Sequence, residues 1–184
     1  MKRHILAFGA SNSKNSINKK LATFAANQMD NAEVEILDLN DYEMPIYSID
    51  REKENGIPEL AKMFKDKIKS ADGIIISFAE HNGAYTVAFK NIMDWVSRME
   101  GSIWENKPML LLSTSPGGRG GKSVLNIAST SFKFMNKAEQ FSFSLPSFHQ
   151  NFSDEQGILE PELRKDFNEN LKKFGAIITA PVTI

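Results

Sequence analysis

Hydroxyl and amide side chains cluster within residues 9–18, directly after a short apolar run. The segment holds Ser11, Ser13, Ser16 and Asn18 together with one lysine, and a helical pattern follows it. Hydroxyl groups donate hydrogen bonds, and the free N–H groups at the start of a helix carry partial positive charge. This combination favours phosphate binding. The same residue types also favour an ordinary helix cap, so the segment alone leaves both readings open.

Two further segments, 79–85 and 115–122, each follow an apolar run and are rich in glycine or turn residues. The dipeptide Asn82-Gly83 predicts a tight turn in the first of them. The second has four glycines within the five positions 117–121. Glycine is entropically costly to order, and a plain turn does not need so many. The pattern favours close approach of this backbone to a ligand.

Two nucleotide-binding motifs are disfavoured. The tripeptide Gly121-Lys122-Ser123 copies the end of a Walker A motif, but Pro116 stands where the first glycine of that motif belongs. The first polar segment is not a Gly-x-Gly-x-x-Gly fingerprint, which argues against dinucleotide binding in the Rossmann manner. Hydrolysis of a nucleoside triphosphate therefore has little support.

Apolar runs of strand length alternate with helical apolar stripes along the chain. Strands are predicted at residues 5–8, 34–39, 73–78, 109–113 and 139–143. Helices are predicted at residues 17–29, 60–68, 87–99, 123–135 and 163–174. This alternation predicts an α/β fold with a parallel sheet between two helical layers. Ligands bind beyond the carboxyl ends of such strands, which is where the three polar segments lie.

Bulk properties restrict the class of protein. With 184 residues and no low-complexity linker, the chain is expected to form one domain over residues 1–184. The formal charge of −1 offers no basic field for nucleic acid or anionic membrane. The chain has no cysteine, and no apolar stretch has the length of a signal-peptide core or a membrane span. We expect a cytoplasmic protein.

Taken together, the three segments resemble the NADPH-dependent FMN reductase family, which includes quinone, azo-dye and chromate reductases. The family has a first loop of the form Gly-Ser-x-Arg-x-x-Ser-x-Asn, whose end matches Ser16 and Asn18. Its Pro-Glu-Tyr-Asn-Gly and Lys-Asn-x-x-Asp-Trp motifs are similar to residues 79–83 and 90–95. Its Ser-Pro-Gly-Gly-x-Gly-Gly loop is matched in full by residues 115–121.

The resemblance implies a flavodoxin-like three-layer sandwich with strand order 2-1-3-4-5, FMN as cofactor, and NADPH or NADH as electron donor. It implies hydride transfer to bound FMN and reduction of a small acceptor such as a quinone, an azo dye or free flavin. Because the flavin supplies the chemistry, no catalytic side chain and no metal ligand is assigned. The cofactor-binding residues implied are Ser11, Ser13, Ser16, Ile17, Asn18, Glu80, His81, Asn82, Gly83, Ser115, Pro116, Gly117 and Gly118.

The chain departs from the family pattern at three positions. Ser13 replaces the arginine of the phosphate loop, with Lys14 next to it, and Ala79 and His81 replace the proline and the tyrosine of the second loop. A flavodoxin-type electron carrier and a non-catalytic FMN-binding protein therefore stay open as alternatives. The resemblance also implies a homodimer or homotetramer. It suggests a subunit interface that includes Trp95 and, near it, Trp104.

Overall fold

Five parallel strands form the centre of the protein in a computed structural model that describes residues 2–179. The sheet has the order β2-β1-β3-β4-β5. Its strands are β1 (Arg3–Ala10), β2 (Ala32–Leu37), β3 (Gly73–Phe78), β4 (Met109–Thr114) and β5 (Gln140–Leu145). Every residue of β3 and β4 is buried, as expected for strands covered on both faces. The predicted strand order is confirmed.

Helices cover both faces of the sheet, so the fold is the predicted flavodoxin-like three-layer sandwich. The helices are α1 (Ile17–Asn27), α2 (Ile49–Asn55), α3 (Glu59–Ser70), α4 (Val87–Val96), α5 (Lys122–Met135), α6 (Phe148–Asn151) and α7 (Pro161–Thr179). Helices α1 and α7 pack on one face with the apolar cluster of Phe143 and Phe167. Helices α3, α4 and α5 pack on the other, around Phe78 and Phe89.

The predicted elements all exist, with bounds shifted by a few residues, but the sequence patterns missed several short ones. A 3-10 turn at Leu39–Tyr42 and helix α2 lie in the first long connection. Helix α6 and a hairpin of β6 (Phe152–Ser153) and β7 (Gly157–Ile158) lie in the second. Helix α2 buries no side chain, so it has no apolar stripe that a pattern search could detect.

The ends of the predicted domain, residue 1 and residues 180–184, lie outside the described residues. Within residues 2–179, no helix combines the length and the apolar character that a membrane crossing requires.

Both tryptophans lie in the core. The prediction that their side chains belong to a subunit interface is therefore wrong. Trp95 is 1% exposed and Trp104 is fully buried. The Trp104 ring packs against Phe132 at a centroid distance of 4.8 Å and stacks on Phe89 at 6.4 Å. Trp95 lies in α4 and Trp104 in the loop that follows it. Both side chains face the core, because burial of a large aromatic ring is strongly stabilising.

The turn from β1 into α1 brings two backbones into direct contact at Gly9. A Cβ atom placed on Gly9 would lie 2.5 Å from the Lys19 nitrogen and 2.8 Å from its Cα. Only glycine allows this approach, because the atoms it would strike belong to the helix backbone. The close contact fixes the start of α1 against the end of the sheet.

Replacing Gly9 with alanine should therefore lower the free energy of unfolding of the apoprotein by about 1–3 kcal/mol, the usual cost of overpacking. Gly175→Ala is the matched control, since Gly175 lies within α7 and its Cβ would meet only the Met29 side chain at 3.6 Å. That control should gain about 0.5–1 kcal/mol, the usual benefit of alanine over glycine in a helix. Urea titration followed by circular dichroism measures both; equal effects would contradict the steric argument.

Candidate functional site

The start of α1 presents a set of hydrogen-bond donors to the carboxyl edge of the sheet. The Ser16 hydroxyl caps the helix by accepting from the Lys19 N–H at 3.1 Å. The Ser11 hydroxyl accepts from the Ser13 N–H at 3.1 Å. These bonds use oxygen lone pairs, so both hydroxyl protons stay available for donation. The N–H groups of Ile17 and Asn18 have no partner within the helix, because they belong to its first turn.

The Asn18 side chain connects α1 to two strands at their carboxyl ends. Its Nδ2 donates to the Thr114 carbonyl at 3.1 Å. Its Oδ1 accepts from the Ser77 hydroxyl at 2.7 Å and from the Thr114 N–H at 3.0 Å. All three residues are buried. The Asn18 side-chain amide is thus engaged within the protein, and the group of Asn18 without a partner within the helix is its backbone N–H.

The second segment forms a tight turn after β3. His81 and Ala84 exchange two backbone hydrogen bonds, of 3.0 and 3.1 Å. Between them, Asn82 and Gly83 both have positive φ angles, of 53° and 79°. Two such residues in succession define a type I′ turn, which explains the Asn-Gly pair. The turn places the His81 side chain at the surface, and within residues 2–179 its ring has no hydrogen-bond partner.

Glu80 joins the second segment to the third. One of its carboxylate oxygens accepts from the Val124 N–H at 3.1 Å, in the first turn of α5. The capping position of α5 is Gly121, which has no side chain to satisfy those N–H groups. A carboxylate at a helix N-terminus also interacts favourably with the helix dipole. Glu80 therefore acts as the missing cap, and its side chain points toward α5.

The four glycines of the third segment serve two purposes. Gly120 and Gly121 have positive φ angles of 59° and 72°, and a Cβ on Gly120 would lie 2.5 Å from the Ser144 hydroxyl. The fold itself requires these two glycines. A Cβ on Gly117 or Gly118 would meet nothing within 4 Å. Nothing in the described part of the chain demands glycine there, so the prediction of close approach to a ligand now applies to this pair.

The three segments line one cavity of about 300 Å³ at the carboxyl ends of β1, β3 and β4. Of the predicted cofactor-binding residues, the cavity is lined by Ser11, Ser13, Ser16, Ile17, Asn18, Glu80, His81, Ser115 and Pro116. The other predicted residues do not line the cavity, although each pair directly follows a lining residue in the chain: Asn82 and Gly83 follow His81, and Gly117 and Gly118 follow Pro116. The cavity is also lined by Asn15, Ala79 and Thr114, which were not predicted to bind the cofactor. Thr114 is the last residue of β4. Because ligands bind at the carboxyl ends of parallel strands, this position could have identified Thr114 as a candidate from the sequence.

Two of the three lysines near the first segment form ion pairs. Lys19 bonds to the Asp38 carboxylate at 2.5 Å. This bond, with the Asn40 N–H, lowers the pKa of Asp38 to about 2. Lys20 pairs with Asp154 at 2.7 Å. Among the ion pairs within residues 2–179 none involves Lys14, which lies in the loop itself.

The donor set fits the phosphate of FMN. Two hydroxyl groups and two helix N–H groups converge at one end of the cavity, which is the arrangement that helix N-termini use for phosphate. Lys14 lies next to Ser13 in the same loop but lines a neighbouring cavity. The backbone at Gly117 and Gly118, which follows the lining residues Ser115 and Pro116 in the chain, is open and leaves room for a flat ring beside the cavity. A doubly wound sheet with this site defines a flavodoxin-like nucleotide-binding protein.

Comparisons with known proteins agree with this class. A family described as NADPH-dependent FMN reductase matches residues 3–150. An NADPH:quinone oxidoreductase from Arabidopsis thaliana is 31% identical over 140 residues, which are 73% of this chain and 68% of that protein. A 2-hydroxy-1,4-benzoquinone reductase from a Burkholderia species is 40% identical over 78 residues, 42% of either chain. The flavoenzyme NAD(P)H:acceptor oxidoreductase FerB from Paracoccus denitrificans superposes with a TM-score of 0.75 at 22% identity, covering 96% of this chain and 97% of its own.

The chain belongs to the NADPH-dependent FMN reductase family. The predictions of family, of an oxidoreductase and of FMN with a nicotinamide donor are confirmed.

Removing the Asn18 amide should destabilise the apoprotein. Asn18→Ala leaves the Thr114 N–H and carbonyl and the Ser77 hydroxyl buried without partners, so we expect a loss of about 2–4 kcal/mol in the free energy of unfolding. Asn15→Ala, at an exposed position of the same cavity, should change it by less than about 0.5 kcal/mol. Urea unfolding of both apoproteins measures the two free energies of unfolding. A small change for Asn18→Ala would mean that the three hydrogen bonds contribute little to the stability of the sheet edge.

Proposed function

We propose that the cavity formed by the three segments holds FMN, and that the protein transfers hydride from NADPH or NADH to this flavin and reduces a quinone. The observation that carries the proposal is the convergence of the free donors at α1 with the open glycines of the third segment. The names of the Arabidopsis and Burkholderia relatives support a quinone as the acceptor class.

FMN supplies the redox chemistry, since its ring accepts a hydride and can release the electrons to an acceptor. The protein binds and orients it. We assign the phosphate to the hydroxyls of Ser11, Ser13 and Ser16 and to the N–H groups of Ile17 and Asn18. Burial of Asn18 behind this loop keeps the N–H groups fixed before the anion arrives, so little reorganisation accompanies binding.

We assign the ring to the space between the second and third segments. Within the described chain, the N–H groups of Asn82, Gly83, Gly117 and Gly118 donate to no protein acceptor, so they are available to the polar edge of a flavin. Glu80 holds the two segments at a fixed separation through its bond to α5. The backbone at Ser115 accepts from the Phe148 N–H at 3.0 Å, which fixes the third segment against α6.

The wider assignments belong to the same proposal. We infer a single domain over residues 1–184 and a cytoplasmic location. We also infer a homodimer or homotetramer. Several large apolar side chains in the described chain are exposed to solvent, which supports self-association: Phe134 is 88% exposed, Val87 69% and Ile46 64%. Light scattering after size exclusion measures the mass, and a monomer would contradict this inference.

The reductase function predicts a direct spectroscopic result. Purified protein loaded with FMN should show the visible flavin band, and anaerobic mixing with NADPH or NADH should bleach it. Adding 2-methyl-1,4-naphthoquinone should restore the band, and it should do so faster than an azo dye if a quinone is the acceptor. Failure of both nicotinamides to bleach the flavin would contradict the function; failure of the quinone alone would contradict the acceptor class.

Restoring the family's arginine at position 13 should increase the affinity for FMN. Ser13→Arg should lower the dissociation constant of FMN by about tenfold, because a guanidinium pairs with phosphate through two hydrogen bonds. Gln28→Arg adds the same charge at the far end of α1 and should change the constant by less than about twofold, since exposed charges at that distance are screened. Fluorescence titration of the apoproteins with FMN compares them. Equal effects would place the phosphate away from Ser13.

A further inference from the structure

A cavity of about 440 Å³ lies along the side of α1, beside the start of the helix. We call it the lateral cavity. Lys19, Thr23 and Asn27, spaced four residues apart, lie on the face of α1 that forms one of its walls. The hairpin of β6 and β7 contributes Phe152 and Asp154 to the opposite wall. The lateral cavity is therefore a groove between one helix and one hairpin.

Local packing holds the hairpin against α1. A Cβ atom on Gly157 would lie 2.3 Å from two ring atoms of Phe24, so the absence of a side chain lets the hairpin lie directly on that ring. The Phe24 ring also packs edge-on against Phe152, with the ring centroids 5.3 Å apart. The Leu159 N–H donates to the Asn151 carbonyl at 2.8 Å, which closes the base of the hairpin. Both walls of the lateral cavity are thus fixed by the fold.

The lateral cavity adjoins the cavity formed by the three segments. Asn15 and Ser16 line both of them, so the two cavities meet at the loop that precedes α1. The same loop carries the hydroxyl and N–H donors that we assign to the phosphate of FMN. A group attached to that phosphate would therefore extend into the lateral cavity.

The charged groups of the lateral cavity favour a second phosphate. Its lining has three lysines, Lys14, Lys19 and Lys20, and one carboxylate, that of Asp154. Within residues 2–179, Lys14 forms no ion pair. The pair of Lys20 with Asp154 is open to solvent, with 48% and 69% of the two side chains exposed, and such pairs contribute little to stability. A phosphate can therefore bind both lysines without breaking a buried interaction.

The other lining groups fit a nucleoside. Phe24 is half-buried and lines the cavity, and aromatic rings bind bases by stacking. The Asn27 amide has a donor and an acceptor, which match the edge of adenine. The Asp154 carboxylate can accept from ribose hydroxyl groups. The space is sufficient, because the helix rises by about 16 Å between Ser16 and Asn27.

The loop before α1 has the charge distribution expected for a diphosphate. A phosphate monoester carries about −1.5 to −2 charges at pH 7, whereas a phosphate inside a diphosphate link carries about one negative charge. Ser13 stands where the family has arginine, so the first phosphate meets hydroxyl and N–H donors. The nearby cation, Lys14, lines the lateral cavity instead. The loop therefore places its positive charge where a second phosphate would lie.

We propose that the lateral cavity binds the adenosine phosphate half of FAD, so that this chain holds FAD as well as FMN. The proposal rests on the proposed function for the position of the flavin and its first phosphate. It adds a second form of the cofactor, whose extra half is bound by residues that FMN does not reach. An adenosine phosphate also occurs in NADPH and NADH, so the test includes a measurement on the electron donor.

The test compares the two flavins by calorimetric titration of the apoprotein. FAD should bind about three- to tenfold more tightly than FMN, because lysine contacts to the second phosphate and stacking of the base outweigh the ordering of a longer ligand. Lys20→Gln should raise the dissociation constant of FAD by about three- to tenfold, as expected for losing one charge-assisted hydrogen bond. It should leave the constant of FMN within about twofold of the original value, since that phosphate is held by other groups.

Lys62→Gln is the matched control. The Lys62 side chain is 49% exposed and pairs with Glu59 at 2.9 Å, much as Lys20 pairs with Asp154, but it lies on α3 at the other face of the sheet. The same loss of charge there should change neither flavin constant by more than about twofold.

A second variant tests the base. Phe24→Leu keeps an apolar side chain under the hairpin and removes the aromatic ring. The dissociation constant of FAD should rise about fivefold or more, because the base loses its stacking partner. The constant of FMN should stay unchanged in this variant, and it reports whether the cavity of the three segments is intact.

FAD that binds more than about tenfold more weakly than FMN would overturn the proposal, as would equal FAD constants in the Lys20 and Lys62 variants. A parallel rise of the FAD and FMN constants in the Lys20 variant would also overturn it. A raised KM for NADPH in the FMN-loaded Lys20 variant, with an unchanged FAD constant, would assign the lateral cavity to the electron donor instead. Absence of FMN binding to the original protein would contradict the proposed function itself, a failure distinct from the loss of FAD alone.

Discussion

The buried amide of Asn18 is the interaction on which the candidate site depends. It lies on the first turn of α1 and is bonded to the ends of β3 and β4, so a single side chain sets the distance between the first loop and the other two. A buried amide that keeps three hydrogen bonds is costly to disturb, since each partner would otherwise be left unpaired. The Gly9 contact has the same effect from the other side, because it presses α1 against β1.

Glu80 extends this arrangement to α5. Its carboxylate replaces the capping side chain that Gly121 lacks, so the second loop and the third segment share one interaction. Each of the three loops is therefore tied to at least one of the others by a side chain that is hydrogen-bonded within the protein. These bonds also hold the N–H groups of Ile17 and Asn18 in place, which have no partner within the helix.

The fold could be predicted from the sequence because periodicity and burial are local properties. The run Ile74-Ile75-Ile76 fixes a buried strand, and the stripe in α5 fixes an amphipathic helix. The direction of individual side chains was harder. Asn18 and Glu80 both line the cavity, but nothing local in the sequence distinguishes an amide that faces a ligand from one that holds a strand in place. Trp95 and Trp104 were assigned to a surface because long-range packing against Tyr47 and Phe132 leaves no trace in neighbouring residues.

Residues 44–47 belong to no helix or strand, and helix α4 anchors them through their backbone atoms. Asn91 and Trp95 bond to the Tyr47 N–H and to the Met44 and Pro45 carbonyls, which every amino acid supplies regardless of its side chain, apart from the N–H that proline lacks. The Met44 side chain adds to these bonds by packing against the core, whereas that of Ile46 is 64% exposed. The residue at position 46 can therefore be exchanged while the course of the chain stays constant.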